Sequence, residues 1–395
     1  MRRRMVAVVL TAVSVAVAGC APPPVGGGPG DVTGERERRE ALHLGVVEPD
    51  ATNTGVLPDV ALTPAASEIV TITAAGTLYE NKDVPCQLRI QAARVTVRNV
   101  RVRGACSAAS GQPGAGGGLV VATHRAVDDL VLEHVTLRPE RPHWNWNGVT
   151  GHDFTLRFAD ISHTTDGVGV FNTSAPKDAA GRYLPYASGV VIRQSYIHDL
   201  SWFTAPTAGI VHPRDTETHN DDIQHQGGTG SIIEGNSLVG RYARQVGHWR
   251  TTGATEPYTT VPLRSLPDGG PHQAIPDRGT GNEANGRYNH DDLACLMIGD
   301  DVGPTFDLTF SLNWCYGGNY GVNGGGNAPY DPTVRLGTMV MNRFDRSQAS
   351  QSSGGDNTHT ITLGDGWAGR VVSGAGTQYA NRYRDNAHEI NFRGD

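Results

Sequence analysis

Charge is scarce in this chain: Asp, Glu, Lys and Arg make up 18% of 395 residues, and the formal net charge is −7. A protein that tracks a phosphate backbone needs a basic stripe, and none is written here, so nucleic acid is not an expected partner. Stretches of helical periodicity are also scarce. Gly 51 and Pro 23 punctuate short β-branched segments instead, which favours many strands and turns. No Cys-x-x-Cys is present to suggest a zinc or dithiol site, and no Gly-x-Ser-x-Gly elbow supports an esterase. The "GAGGG" at 114 to 118 lacks the strand-to-helix setting of a phosphate loop.

The one long apolar run, Met5 to Val17, falls short of the ~20 residues that span a bilayer. Preceded by Arg2, Arg3 and Arg4, it reads as a signal peptide over residues 1–20. It ends in Val17-Ala18-Gly19-Cys20, which resembles a bacterial lipobox. Cys20 is then the lipidated first residue of an extracytoplasmic protein, touching the membrane only through that anchor; an ordinary secretory signal with a stray cysteine is the alternative. Residues 21–50, with "PPPVGGGPG" and "GERERRE", read as a disordered tether. Four cysteines remain in two pairs, each twenty apart: Cys86 with Cys106, and Cys295 with Cys315. In an oxidising compartment both pairs are expected as disulfides. The equal spacing suggests that about twenty residues bring the chain back to nearly the same place.

A repeat is consistent with that. "VTVRNVRV" with Asn99, "LVLEHVTL" with His134, "FTLRFADI" with Ala159, "VVIRQSYI" with Ser195, "SIIEGNSL" with Asn236, "LTFSLNWC" with Asn313 and "TMVMNRF" with Asn342 share an alternating strand, a turn position and a further aliphatic. No helix-period stretch separates them. Parallel strands without crossover helices imply a solenoid, in which each turn of chain is itself the connection.

"NTGV" at 53–56, "VTVRNVRVRG" at 95–104, "TTDGVGVF" at 164–171, "HNDDIQHQGGTGSIIEGNSLVG" at 219–240 and "LMIGDDVGPTFDLTFSLNWCYGGNYGVNGGG" at 296–326 resemble the right-handed parallel β-helix proteins of the pectate-lyase-like superfamily, especially secreted actinobacterial ones. The resemblance covers about residues 51 to 350. It implies an all-β, right-handed parallel β-helix of stacked coils over residues 51–395, with a loop inserted at 241–289, acting as a monomer on a polysaccharide. Where such proteins read His-Asn-Asp-Gly-Ile-Gln, this chain has Asp222 in place of glycine.

The densest polar cluster, "HNDDIQHQGG" at 219–228, sits where a strand is expected. If Ile223 fills the core, alternation points Asp222 and Gln224 outward, while His219, Asp221 and His225 flank it at the strand ends. "TTDGVGVF" repeats the pattern, with Val168 and Val170 inside and Asp166 at the leading edge. In "NHDDLACLMI", Leu293 matches Ile223 and Asp292 matches Asp222, with His290 and Asp291 beside them. Coils ~4.8 Å apart would stack these aspartates in a column. Such a column needs a cation, a shared proton or a cationic neighbour. Asp capping backbone amides in turns is the alternative.

Two chemistries suit a surface column. In β-elimination, Ca²⁺ held by carboxylates such as Asp222 and Asp292 neutralises a uronate while Arg, Lys or His removes the C5 proton. In hydrolysis, one carboxylic acid protonates the leaving oxygen and a second carboxylate activates water or attacks carbon. Asp166, His219, Asp221, Asp222, Gln224, His225, His290, Asp291 and Asp292 are the candidate catalytic set. Arg244, Trp249 and Arg250 in the long loop, and Trp146 in "RPHWNWNG", are candidate walls of a substrate cleft, although tryptophan on a strand also serves packing. The expectation is a polysaccharide lyase, with a polygalacturonase-like hydrolase and a non-catalytic binding or adhesion solenoid as alternatives. An adhesin needs aromatics and amides on its binding face; an enzyme needs titratable groups there.

Overall fold

A computed structural model describes residues 47–107, 117–140, 143, 145–203, 220–246, 260–262, 294–299, 301–317, 320–324, 335–344, 361–363, 370–371 and 381–383. These residues form 27 strands and no helix. The strands belong to an eighteen-stranded and a nine-stranded sheet, and all pairings between them are parallel except Ser237–Val246 with Thr260–Pro262. The chain alternates between the sheets. Gln87–Ile90 of the nine-stranded sheet is followed by Thr96–Val102 of the larger one, then by Gly118–Ala122 back in the smaller and Leu130–Leu137 in the larger. The fold is therefore all-β with parallel sheets, as the repeat implied.

The inward residues of both sheets merge into one apolar core. In the nine-stranded sheet, Leu88, Val120, Val149, Val168, Ile223, Leu296 and Val322 lie in register and are fully buried. Val168 and Ile223 stack as expected, but Leu296 rather than Leu293 continues the row. Aligning the two Asp-Asp doublets misplaces the chain by three residues. The interior selects instead for Leu296 and Ile298, which share the parity of Ile223 and His225.

The larger sheet bends where a left-handed residue recurs at each level. Asn81, Asn99, His134, Phe158, Gln194, Leu312 and Met341 have φ between 49° and 60°, with Gly235 at 66° on the same column. Asn99 and His134 belong to this column, whereas Ala159, Ser195, Asn236, Asn313 and Asn342 occupy the next position, which faces inward. There the asparagines form a ladder. The Asn236 amide donates to Asn313 Oδ1 at 3.0 Å, Asn313 to Asn342 at 3.1 Å, and Asn342 to Asn381 at 2.8 Å. Each also donates to a carbonyl of the level before, Ile192, Ile233 and Phe310 respectively. On the outer face Arg98 pairs with Glu80, Arg157 with Glu133 and Arg193 with Glu234. These exposed pairs contribute little energy each but favour one register.

Cys86 and Cys106 form the expected disulfide. Cys295 and Cys315 do not: both are fully buried thiols. They come from different sheets and face one another across the core. Cys295 donates to the Leu238 carbonyl at 3.7 Å, while burial raises the Cys315 pKa against the lowering effect of its hydrogen bond to Cys295. The twenty-residue spacing thus returns the second pair to contact without a bond. The expected loop at 241–289 also starts later, because Ser237–Val246 is one continuous strand.

Candidate functional site

The polar run from Asn220 to His225 turns inward. Asn220, fully buried, donates through its amide to the Thr165 and Ser201 carbonyls, both at 2.7 Å. Asp166 Oδ1 accepts the Asp221 N–H at 3.1 Å, and Asp221 Oδ1 accepts the Ala294 N–H at 3.0 Å. The aspartates do stack, but their carboxylates link one level to the backbone of the next. Asp166 is 8% and Asp221 1% exposed, so neither presents the expected surface column.

Asp222 also lies inside, contrary to strict alternation. It stands beside Gly167, whose added Cβ would collide with Ile197 Cγ2 in the core and with the Asp222 carbonyl. Where the chain bends into a strand, two successive residues can therefore both face inward. Asp222 is fully buried, and neither carboxyl oxygen has a hydrogen-bond partner among the described residues. Burial drives its pKa well above the usual carboxylate range, and the negative charge of Asp166 adds to this. Of the paired Ca²⁺ ligands read from the sequence, Asp222 is thus enclosed in the core, and Asp292 lies outside the described residues.

His225 is fully buried as well, and its contacts settle its tautomer. Thr305 Oγ1 donates to the Gly299 carbonyl at 3.1 Å, so its 3.3 Å contact with His225 Nδ1 is one in which Nδ1–H donates. Nε2 then accepts from Ser231 Oγ at 2.7 Å, and Ser188 donates to Ser231 at 2.6 Å. Ser188 Oγ accepts the Val190 N–H at 3.2 Å. A single proton direction runs through the network, and burial pushes the imidazole down to about 4. The serine–histidine contact is enclosed, with both residues at 0% exposure. Only Gln224 of this segment keeps the outward direction assigned to it, and it is half-buried.

Trp146 is 2% exposed and packs in the core, so it forms no cleft wall. Arg244 falls within the strand Ser237–Val246. Cys20, His219, Trp249, Arg250, His290, Asp291 and Asp292 lie outside the described residues. Among the described residues, no three His, Cys, Asp or Glu side chains are grouped to hold a metal ion.

Sequence reasoning missed the outer face of the nine-stranded sheet. Its strands read IVTI, QLRI, GLVVA, NGVTG, VGV, IQH, ACLMI, YGVNG and ITL, without one Asp or Glu. The row that alternates with the inward one runs Thr71, Arg89, Val121, Thr150, Gly169, Gln224, Met297 and Asn323, with Thr150 and Gly169 buried. At Gly169 a Cβ would stand 3.1 Å from Phe171 Cε1 and 3.5 Å from the Asn147 amide nitrogen. Phe171 and Asn147, both half-buried, therefore gather beside Gly169, with Gln224 on the next level. The lack of acids in this strand set was the legible signal. Compared with protein-family models and with curated proteins, the chain matches none.

Proposed function

We propose that the chain is an exported right-handed parallel β-helix of the pectate-lyase-like kind, tethered by a lipid on Cys20, that binds a polysaccharide along the outer face of its nine-stranded sheet. One observation carries this reading: that face combines an aromatic ring, Phe171, with the amides of Asn147 and Gln224 on strands free of carboxylates. A ring face covers apolar sugar C–H groups, and amides both donate to and accept from hydroxyls. Hydrolysis by a carboxylate pair would need acids at the surface, whereas Asp166, Asp221 and Asp222 are enclosed.

Elimination is the second reading. It is favoured by Arg89 and Arg125 beside a cavity at one end of the face, because guanidinium groups neutralise a uronate. Affinity electrophoresis of the purified chain through a panel of polysaccharides tests binding, with ultraviolet absorbance of unsaturated uronate and reducing-end release as separate readouts of cleavage. Phe171→Ala is expected to weaken retention about two- to tenfold, matching an aromatic contact of about 0.5–1.5 kcal/mol. Retention by no polysaccharide, or equal retention of wild type, Phe171→Ala and Gln224→Ala, would overturn the binding reading.

A further inference from the structure

Residues 50–60 form a strap that lies on the larger sheet before the first strand, Thr63–Pro64. It crosses successive levels: Gly55 N–H donates to the Phe158 carbonyl at 2.8 Å, Val56 N–H to Thr136 Oγ1 at 3.0 Å and Leu57 N–H to Asn99 Oδ1 at 3.5 Å. His134 Nδ1–H donates to the Gly55 carbonyl at 3.2 Å, which it can do whether its ring is neutral or charged. Gly55, at φ 75°, lets the strap lie close. A Cβ there would stand 2.6 Å from Thr136 Oγ1 and 3.0 Å from Asp160 Cβ. Thr136 and Asp160 are aligned on paired strands, so Asp160 lies under the strap.

On its other side Asp160 meets a histidine. His198 Nε2 donates to Asp160 Oδ1 at 3.1 Å, and His198 Nδ1 donates to Asp199 Oδ2 at 2.8 Å. Only an imidazolium carries hydrogen on both nitrogens, so two bonds to two carboxylates describe the charged ring. Tyr196 stacks on it, with centroids 3.9 Å apart and planes 10° from parallel, an arrangement that favours a cation. Burial alone would lower the imidazole pKa, but the hydrogen bonds and charges of Asp160 and Asp199 outweigh burial and raise it. The strand on the far side aligns uncharged Val239 with His198. Nearby, Arg138 and His163 contact each other at 3.5 Å, and on the strap Asp50 Oδ1 accepts from the N–H and hydroxyl of Thr52. Among the described residues, no Lys or Arg pairs with Asp160. A neutral imidazole has one N–H for two carboxylates. The shorter bond, to Asp199, is the one it keeps, which strips Asp160, 21% exposed, of its partner.

We propose that the strap and His198 form a pH-operated latch: protonated His198 neutralises Asp160 beneath Gly55 and keeps residues 50–60 docked, and loss of that proton leaves a half-buried carboxylate that draws in water and lets the strap lift. Because the folded pKa is raised, docking is complete at acid pH and is lost as pH climbs through the folded value. Release adds the strap's length, roughly 35 Å if extended, to the connection between the body and the N-terminus. The latch lies on the larger sheet and does not depend on what the nine-stranded sheet binds.

Hydrogen exchange of the full chain between about pH 6 and 9, corrected for the intrinsic pH dependence of exchange, tests it. Protection of the Gly55, Val56 and Leu57 amides should fall about tenfold or more over that range, the scale of one charge-assisted hydrogen bond, while the Asn313 N–H in the ladder keeps its protection. His198→Gln, which cannot be charged, should give weaker strap protection at pH 6 and no further loss above it. Asp160→Asn, which removes the carboxylate and keeps its shape, should hold the strap at every pH. Strap protection that is unchanged across the range in the wild type, or that falls equally in Asp160→Asn, would overturn the latch. So would a parallel loss at Asn313, which would mark general unfolding in place of strap release.

Discussion

Replacing Asp222 by alanine is expected to stabilise the protein increasingly as pH rises. The carboxyl is fully enclosed and unpartnered, so even its neutral form carries a desolvation cost of roughly 1–3 kcal/mol. Alanine keeps Cβ and removes that cost, while the small void it leaves takes back about 1 kcal/mol. Near pH 4 the exchange is therefore within about 2 kcal/mol of neutral. Above that pH the unfolded chain ionises Asp222, since its ordinary pKa is about 3.9, but the folded chain holds the proton because burial and Asp166 raise its pKa. The folded state then binds more protons, and wild-type stability falls with pH at up to about 1.4 kcal/mol per unit until the folded pKa is passed. Alanine has no such slope. His143 and His225, whose folded pKa values are held near 4 by burial, contribute the opposite dependence between about pH 6.5 and 4. They are present in both proteins, so they cancel in the difference. Chemical denaturation of wild type and Asp222→Ala at pH 4, 5, 6 and 7 measures that difference. A gap that stays constant or shrinks as pH rises would show that the carboxyl is ionised and partnered in the folded state, refuting the assignment.

Ser231→Ala is expected to cost about 2–3 kcal/mol, because it strands both His225 Nε2 and the Ser188 hydroxyl in the core; a loss under roughly 0.5 kcal/mol in denaturant titration would contradict the proton direction assigned to the network. Asn313→Ala removes four side-chain hydrogen bonds and leaves the buried Asn236 N–H without its acceptor, so a loss of at least about 3 kcal/mol is expected. An equal loss from Asn99→Ala, which lies outside the ladder, would count against it. Iodoacetamide in denaturant without reductant should alkylate Cys295 and Cys315 and spare Cys86 and Cys106, as read by peptide mass spectrometry. Reducing the 86–106 bridge should cost about 3 kcal/mol from the entropy of its twenty-residue loop, seen as a shift in the denaturation midpoint.

The parallel all-β architecture was legible because one strand and turn pattern recurs, and Asn236, Asn313 and Asn342 were legible as its turn position, whereas their inward-facing ladder was not. Asn99 and His134 were grouped with it although they sit one position earlier; only their backbone angles separate the columns. The polar cluster misled for a different reason. Strict alternation applies within a strand, and Asp222 precedes the strand Ile223–His225 at a bend where neighbouring positions both face inward. Charge drew attention to Asp291 and Asp292, whereas register is decided by which apolar residues fill the interior. The face with the better claim to a ligand had no conspicuous motif, since its signal is the steady omission of acids from nine separate strands.

The asparagine ladder gives the stack a direction. At every level the buried backbone N–H is satisfied by the side-chain oxygen of the level that follows: Ser195 N–H by Asn236, Asn236 by Asn313, Asn313 by Asn342 and Asn342 by Asn381. Toward the N-terminus the same column becomes apolar, through Ala159, Val135 and Val100, and asks for nothing. A chain cut after Val340 would leave two donors of Asn313 without Asn342 Oδ1, whereas losing the level in front of an asparagine removes one carbonyl acceptor from its amide. During synthesis each asparagine level would wait for the next to emerge, so the ladder would be completed by late-arriving residues.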